Sequence, residues 1–324
     1  MTTVGILGGA GYTAGELVRL LINHSKVTID FVFSTSNAGN QIGDVHQDLA
    51  YLDMKFTDTI NVDVDVVFLC LGHGNSGAFL EKYTFSENTK VIDLSNEFRL
   101  KNDVIFKGRT FVYGLPELNL EAIKTAKNIA NPGCFATAIQ LALLPLASAN
   151  KLQADVHVNA VTGATGAGVK PSATSHFPWR DNNFSHYKAF NHQHLGEIGE
   201  SVKQLQLDFD KDILFIPQRG DFSRGIFATT YTNYEGTVDE AYALYEDFYK
   251  DAVFTRVVKN PIHLKQVVNT NYGFVHLEKH GTKLLITTAI DNLLKGASGQ
   301  AIENMNLMHG WERTEGLKLK ANYF

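Results

Sequence analysis

The chain has 324 residues, 44% of them hydrophobic and 19% charged, and a formal net charge of −5. Without a basic excess there is no electrostatic case for nucleic acid or an anionic membrane as partner. Two cysteines, Cys70 and Cys134, cannot form a disulfide framework and suit a reducing compartment.

Thr3–Leu7 is a short β-type run, followed at once by the glycine turn from Gly8 to Gly15 and by Leu17, Leu20 and Leu21 at helical spacing. Strand, glycine turn and helix together predict a dinucleotide site. Gly8 and Gly11 take the first two fingerprint positions and Ala14 the permitted third. The glycines admit a pyrophosphate, held at the helix start that carries Tyr12 and Thr13. The next strand, Val27 to Phe33, ends in Ser34-Thr35-Ser36-Asn37. An NAD site usually has an acid there for the ribose 2′-hydroxyl, and Asp30, three residues short of the strand end, is the local candidate. The hydroxyls of Ser34 and Ser36 suit a 2′-phosphate better, so NADP (NADPH) is the expected cofactor, although the loop lacks Arg and Lys.

Val66 to Leu71 is a continuous apolar run that predicts a central parallel strand, with Cys70 in core packing and a glycine-rich loop, Gly72 to Gly77, on the ligand side of the sheet. Val91 to Ser95 predicts another strand, leading to Arg99, which is either a solvated charge or a grip for phosphate or carboxylate. Asn131-Pro132-Gly133-Cys134 then breaks a strand and feeds an Ala- and Leu-rich helix. At a helix N-terminus a thiol can fall from about 8.5 into the range of about 3.5–7.5. Plain core burial competes with that reading, because free cysteine is among the most buried residue types. The remaining motifs favour a nucleophile.

From about Asp155 the pattern changes to alternating segments: 155–161, 213–217, 225–232, 267–277 and 283–290. They predict a separate domain with a mostly antiparallel sheet. The 171–191 region reads as loops anchored by Phe177, Trp179, Phe184 and Tyr187. His192-Gln193-His194-Leu195-Gly196-Glu197 admits three readings: a metal site if the histidines share a strand face, a general acid or base oriented by Glu197, or a polar helix start. No second cluster of His, Cys and acids supports a metal, so none is expected. Gly296 and Gly299 suggest close backbone approach before a last helix with Ile302, Met305 and Met308.

Several of these segments resemble one family. They are the glycine turn with Tyr-Thr-Ala-Gly-Glu-Leu, Asp93 to Leu100, Tyr113 to Leu118, Asn131 to Cys134, His192 to Glu197, and Asp291 to Gln300. In order and over nearly the whole chain, they are similar to the N-acetyl-γ-glutamyl-phosphate reductases, also called N-acetylglutamate semialdehyde dehydrogenases. The resemblance implies NADPH-dependent reduction of an acyl phosphate in arginine biosynthesis. It implies an α/β chain with a Rossmann-like NADP-binding domain (1–148 and 298–324) and an α+β catalytic and dimerisation domain (149–297). By resemblance Cys134 is the nucleophile, His194 the acid/base with His192 the less favoured holder of that role, and Glu197 its orienting partner. From related semialdehyde dehydrogenases, Arg99 would meet the substrate phosphate and Asn292 would lie near the nicotinamide. Gly72 stands where many relatives carry proline, and the acyl group, acetyl or succinyl, stays open. Arg180, Tyr187 and Arg219 are candidates for the substrate α-carboxylate.

No apolar run nears the roughly 18 residues of a membrane span, and no signal stretch is recognised, so the expected protein is cytoplasmic and a homodimer or homotetramer acting on a small molecule. The rivals are an aspartate-semialdehyde dehydrogenase-like enzyme, a cysteine hydrolase and a non-catalytic NADP-binding sensor.

Overall fold

The computed structural model describes residues 1–324. Its first elements are β1 (Thr2–Leu7), α1 (Tyr12–Leu21), β2 (Val27–Phe33), β3 (Val66–Leu69), α2 (Ser76–Lys82), β4 (Lys90–Asp93), β5 (Ile105–Phe106), β6 (Arg109–Tyr113), α3 (Pro116–Thr125) and β7 (Asn128–Ala130). Next come α4 (Cys134–Ser148), β8 (Val156–Thr162), α5 (Phe177–Arg180), β9 (Ser185–His186), α6 (His194–Leu205), β10 (Ile213–Arg219) and β11 (Ile226–Asn233). The chain ends with α7 (Val238–Phe248), β12 (Thr255–Val257), β13 (Gly273–His280), β14 (Lys283–Ile290) and α8 (Ser298–Met308). No helix is long and apolar enough to cross a membrane.

The chain divides into two compact units. The first comprises Met1–Leu115, Asn119–Pro132 and Ala297–Lys318; the second comprises Pro116–Leu118, Gly133–Gly296 and Leu319–Phe324.

The first unit is built on a sheet of order β2-β1-β3-β4-β7-β6-β5, parallel except for the β5–β6 pair. Val66 to Leu69 are buried at every position, as an unalternating apolar run in a doubly covered strand should be. Leu7, Phe33, Val67, Leu69 and Val91 belong to its core. The strand order reverses between β1 and β3, so the ligand crevice of this topology lies beyond the carboxyl ends of those two strands. The glycine turn follows β1 there. Helix α8 returns to this unit and bonds α1 through the Ser298 hydroxyl, which donates to the Thr13 carbonyl at 2.8 Å. The β5–β6 pair was not anticipated, because a two-residue strand carries no readable period.

The second unit holds a sheet of order β12-β13-β14-β11-β8-β10-β9. Four of its six pairings are antiparallel, as expected, while β8–β10 and β12–β13 are parallel and make the sheet mixed. Between β8 and β10 the chain makes a long excursion that includes α6, and such a crossover is what a parallel pair needs. Helix α4 is buried on every side from Phe135 to Ala147, the expected state of an Ala- and Leu-rich helix with no polar face. It packs with Val156, Val158, Ala228, Ile198 and Val202 in the core of the second unit, so the division between units falls at Pro132/Gly133, not after Ser148.

Two further expectations need correction. Residues 267–272 are not strand: a 3-10 turn at Leu264–Gln266 and the left-handed Asn269 (φ 72) precede β13, which starts at Gly273. The aromatic side chains of the 171–191 region do not all anchor it. Phe177 and Phe184 are 74% and 58% exposed. The region instead contains the short helix α5 and the strand β9, which pairs with the end of β10.

Candidate active site

Cys134 is the first residue of α4, and the preceding Gly133 is its N-cap in extended conformation (φ −70, ψ 150). No side chain caps this terminus. Its first N–H groups and the positive end of the macrodipole are therefore set to favour a thiolate. Cys134 is partly exposed. One residue earlier the Gly133 N–H donates to Glu197 Oε2 at 2.9 Å, which ties the cysteine turn to α6.

Helix α6 buries His194, Glu197, Ile198, Ser201 and Val202, a spacing of three and four that forms one helical face. The His-x-x-Glu motif thus sends both side chains inward on the same stripe. The histidines do not share a strand face, since His194 opens the helix and His192 precedes it. His192 Nδ1 accepts the His194 backbone N–H at 3.2 Å, so His192 helps start the helix. Its ring sits among Phe135, Tyr187 and Phe215, with centroids 5.4–5.9 Å away. The His194 ring lies against Gly133: a Cβ built there would stand 2.4 Å from Nε2. Nε2 is 3.9 Å from Glu197 Oε1. Of the two histidines, His194 is the one the backbone places beside the cysteine turn.

The other wall is the loop after β14. Gly296 passes so close that an added Cβ would meet Cys134 Cβ at 2.8 Å. Asp291, fully buried, holds this loop by accepting from the Leu293 and Leu294 N–H groups at 2.8 and 3.2 Å and from Arg224 Nε and Nη2 at 3.1 Å each. Asn292 is engaged at both ends: its Oδ1 accepts the Gly225 N–H at 2.7 Å and its Nδ2 donates to Thr165 Oγ1 at 3.0 Å. Lys295 pairs with Glu117 at 2.8 Å, both fully buried, and Thr255 Oγ1 donates to the same carboxylate. Lys295 attracts the Glu117 carboxylate and holds its pKa below the usual range against the opposing cost of burial. Arg224 and Thr255 carried no readable signal, because each meets its partner only through the fold. Beside the cysteine, burial and then the Cys134 charge push the Tyr187 phenol up to about 12, and the Arg219 guanidinium lies 4.6 Å from the centre of its ring.

In the first unit the glycine turn has the shape of a dinucleotide cradle. Gly8 is left-handed (φ 77), and a Cβ on it would strike the Cys70 carbonyl at 2.3 Å. The Gly11 N–H closes the turn on Gly8 O at 3.1 Å, and neither a side-chain cap nor an acid occupies the start of α1, where Tyr12 and Thr13 stand. Such an open terminus fits a pyrophosphate. His46, which sequence reasoning missed, lies under the turn with Nε2 2.8 Å from the Gly9 carbonyl. Burial pushes the Cys70 thiol up to about 12, opposed by a bond to the Thr13 side chain. At the end of β2, Asn37 Nδ2 donates to the Ser34 and Ser36 hydroxyls at 3.1 and 3.0 Å. Asp30 is exposed and accepts from Asn61 Nδ2 at 3.2 Å. The strand end therefore offers neutral polar groups, a set compatible with a 2′-phosphate.

After the loop that follows β3, Glu97 occupies the N-terminus of α2, accepting the Ser76 and Gly77 N–H groups at 2.5 and 3.1 Å. Arg99 is buried beside Asp93 and donates through Nη2 to the Leu94 carbonyl at 3.0 Å. Its loop leaves the sheet after β4, the parallel neighbour of β7.

Residues 3–126 match the family described as semialdehyde dehydrogenase, NAD binding domain, and residues 134–292 match semialdehyde dehydrogenase, dimerisation domain. A curated relative from Flavobacterium johnsoniae, named N-acetyl-gamma-glutamyl-phosphate reductase, is 61% identical over 325 residues, covering 100% of both chains. Proteins of the same name from Christiangramia forsetii and Bacteroides thetaiotaomicron are 61% and 57% identical, again over 100% of each chain. Among solved structures, aspartate semialdehyde dehydrogenase II complexed with ASA from Vibrio cholerae superposes with a TM-score of 0.74 at 15% identity, covering 96% of this chain and 98% of that one. Aspartate semialdehyde dehydrogenase with NADP from Candida albicans gives a TM-score of 0.70 at 12% identity, covering 95% and 99%. At those identities the structural likeness speaks for the fold, while the full-length relatives speak for the family. The chain belongs to the N-acetyl-γ-glutamyl-phosphate reductase family.

Proposed function

We propose that the chain reduces N-acetyl-γ-glutamyl phosphate to N-acetylglutamate 5-semialdehyde and phosphate, with NADPH as reductant, as a step of arginine biosynthesis. The observation that carries the mechanism is the His194 ring packed on Gly133, directly before a cysteine that opens an uncapped helix. Cys134 Sγ attacks the acyl carbon: the S–C bond forms, the bond from that carbon to the phosphate oxygen breaks, and phosphate leaves with the electron pair. A thioester on Cys134 remains. First-turn N–H groups of α4 face the oxygen that carries transient negative charge, and in other enzymes one such donor is worth about 2.7–4 kcal/mol. NADPH, when bound, supplies the hydride that reduces this carbon. Gly8, Gly11, Tyr12 and Thr13 would hold its pyrophosphate, with Ser34 and Ser36 at the 2′-phosphate and Asn292 near the nicotinamide. His194 gives a proton to the carbonyl oxygen as it gains charge, and takes it back as the aldehyde leaves and the C–S bond breaks. Glu197 serves chiefly by fixing Gly133, which holds the cysteine turn against the helix that carries His194. Arg99 is assigned to the substrate phosphate.

The protein acts on a small molecule as an oligomer, and we infer a homodimer or homotetramer whose 134–292 region supplies the contact, working in the cytoplasm. The test is phosphate-dependent reduction of NADP⁺ with N-acetylglutamate semialdehyde, its N-succinyl analogue and aspartate semialdehyde. Turnover only with an N-acyl glutamate semialdehyde is expected. Preference for aspartate semialdehyde would overturn the assignment.

A further inference from the structure

Arg180 ends α5 with 7% of its surface exposed. Its Nη2 donates to the Gly220 carbonyl, while Nε and Nη1 have no partner in the chain. A guanidinium cannot shed its proton to escape burial, so two unpaired nitrogens in the interior are costly until an anion meets them. The acids next in sequence to Arg180 and to Gly220 are engaged elsewhere: Asp181 Oδ2 accepts from Asn182 Nδ2 and Asp221 Oδ2 from the Asn182 N–H, each at 3.0 Å.

The position of this cation is equally specific. Gly220 directly follows Arg219 at the end of β10, and its N–H donates to the Thr162 carbonyl at the end of β8 at 3.0 Å. Arg219 covers the Tyr187 ring, whose centre is 5.9 Å from that of His192. Arg180, Arg219, Tyr187 and His192 therefore form one run along the sheet edge of the second unit, ending at the residues assigned to the chemistry.

We propose that Arg180 receives a carboxylate of the substrate. This rests on the proposed reaction, whose N-acyl glutamyl substrate carries an α-carboxylate and, when the acyl group is a dicarboxylic one such as succinyl, a second carboxylate at its far end. Either supplies the planar anion that a guanidinium fork matches.

The test is calorimetric titration of the full-length protein, loaded with NADP⁺, with the unreactive acids N-acetylglutamate and N-succinylglutamate, for wild type, Arg180→Gln and Arg180→Lys. Arg180→Gln should weaken binding by about 10- to 100-fold. Loss with both acids places the α-carboxylate on Arg180; loss confined to N-succinylglutamate places the acyl carboxylate there. Arg180→Lys should recover part of the affinity, since it keeps the charge but not the fork. The melting temperature of Arg180→Gln without acid should not fall, because the substitution removes an uncompensated buried charge, whereas a purely structural Arg180 would make it fall. Equal affinities in wild type and Arg180→Gln, or a wild type that binds neither acid, overturn the proposal. Failure of the wild type to turn over either semialdehyde would overturn the proposed reaction, and the binding comparison would still decide the role of Arg180.

Discussion

Replacing Gly133 by alanine should disable the site through geometry alone. The backbone at Gly133 (φ −70, ψ 150) suits any L-residue, so alanine adds no backbone strain. The new Cβ would stand 2.4 Å from His194 Nε2 and 2.7 Å from two ring carbons, where ordinary contact begins at 3.4 Å. The ring must therefore retreat by about 1 Å, and a misplacement of that size can cost about 100-fold in rate. Retreat is not free, because Phe135 and His192 flank the ring; overpacking of this kind typically costs about 1–3 kcal/mol of stability. The assay is kcat for phosphate-dependent NADP⁺ reduction in wild type, Gly133→Ala, His194→Ala and the double variant. If the methyl acts by displacing the ring, Gly133→Ala should lower kcat about 100-fold alone and add little once the ring is gone. An equal loss in both backgrounds would show that the methyl does not act through the His194 ring, as would an unimpaired Gly133→Ala.

Lys295→Met should destabilise the protein by about 3–5 kcal/mol in urea unfolding, since it strands the buried Glu117 carboxylate. Adding Glu117→Leu should restore most of the loss, and a double variant no better than the single one would contradict the pairing. His309 is held down to about 4, by burial first and then by Lys90. Its folded-state pKa lies below its unfolded value, so the unfolded chain takes up the proton first. Stability contributed by the neutral ring is then present above about pH 6.5 and lost as pH falls toward about 4. His309→Gln should flatten the melting temperature across that window; an unchanged slope would assign the acid loss to other groups. Iodoacetamide at pH 8 should label Cys134 and spare Cys70, whose thiol is pushed up to about 12; peptide mass mapping that found Cys70 alkylated as fast would contradict its placement.

What could be read from the sequence was local chemistry. Pro132-Gly133 before an Ala- and Leu-rich run marks the start of α4, because ring closure and a missing side chain act on the backbone where they stand. The three-residue step from His194 to Glu197 forecasts a shared helical face for the same reason. The glycine turn was legible because Gly8 alone tolerates the approach of Cys70 O. What could not be read depends on tertiary partners. Arg224 meets Asp291 across 67 positions, and His46 reaches Gly9 across 37. No periodicity records such meetings. The parallel β8–β10 pair was hidden because alternation reports which face is buried, not the direction of the neighbouring strand. The exposure of Phe177 and Phe184 shows the same limit, since aromatic character states the benefit of burial but not whether the fold provides it.

A covalent acyl group on Cys134 is the heart of the proposed reaction, and peptide mass mapping tests it most directly. The protein would be mixed with N-acetylglutamate semialdehyde and NADP⁺ without phosphate, quenched in acid and digested. One acyl adduct is expected on the peptide bearing Cys134, formed with a single-turnover burst of NADPH and discharged when phosphate is added. A burst without an adduct, or an adduct on another residue, would contradict it.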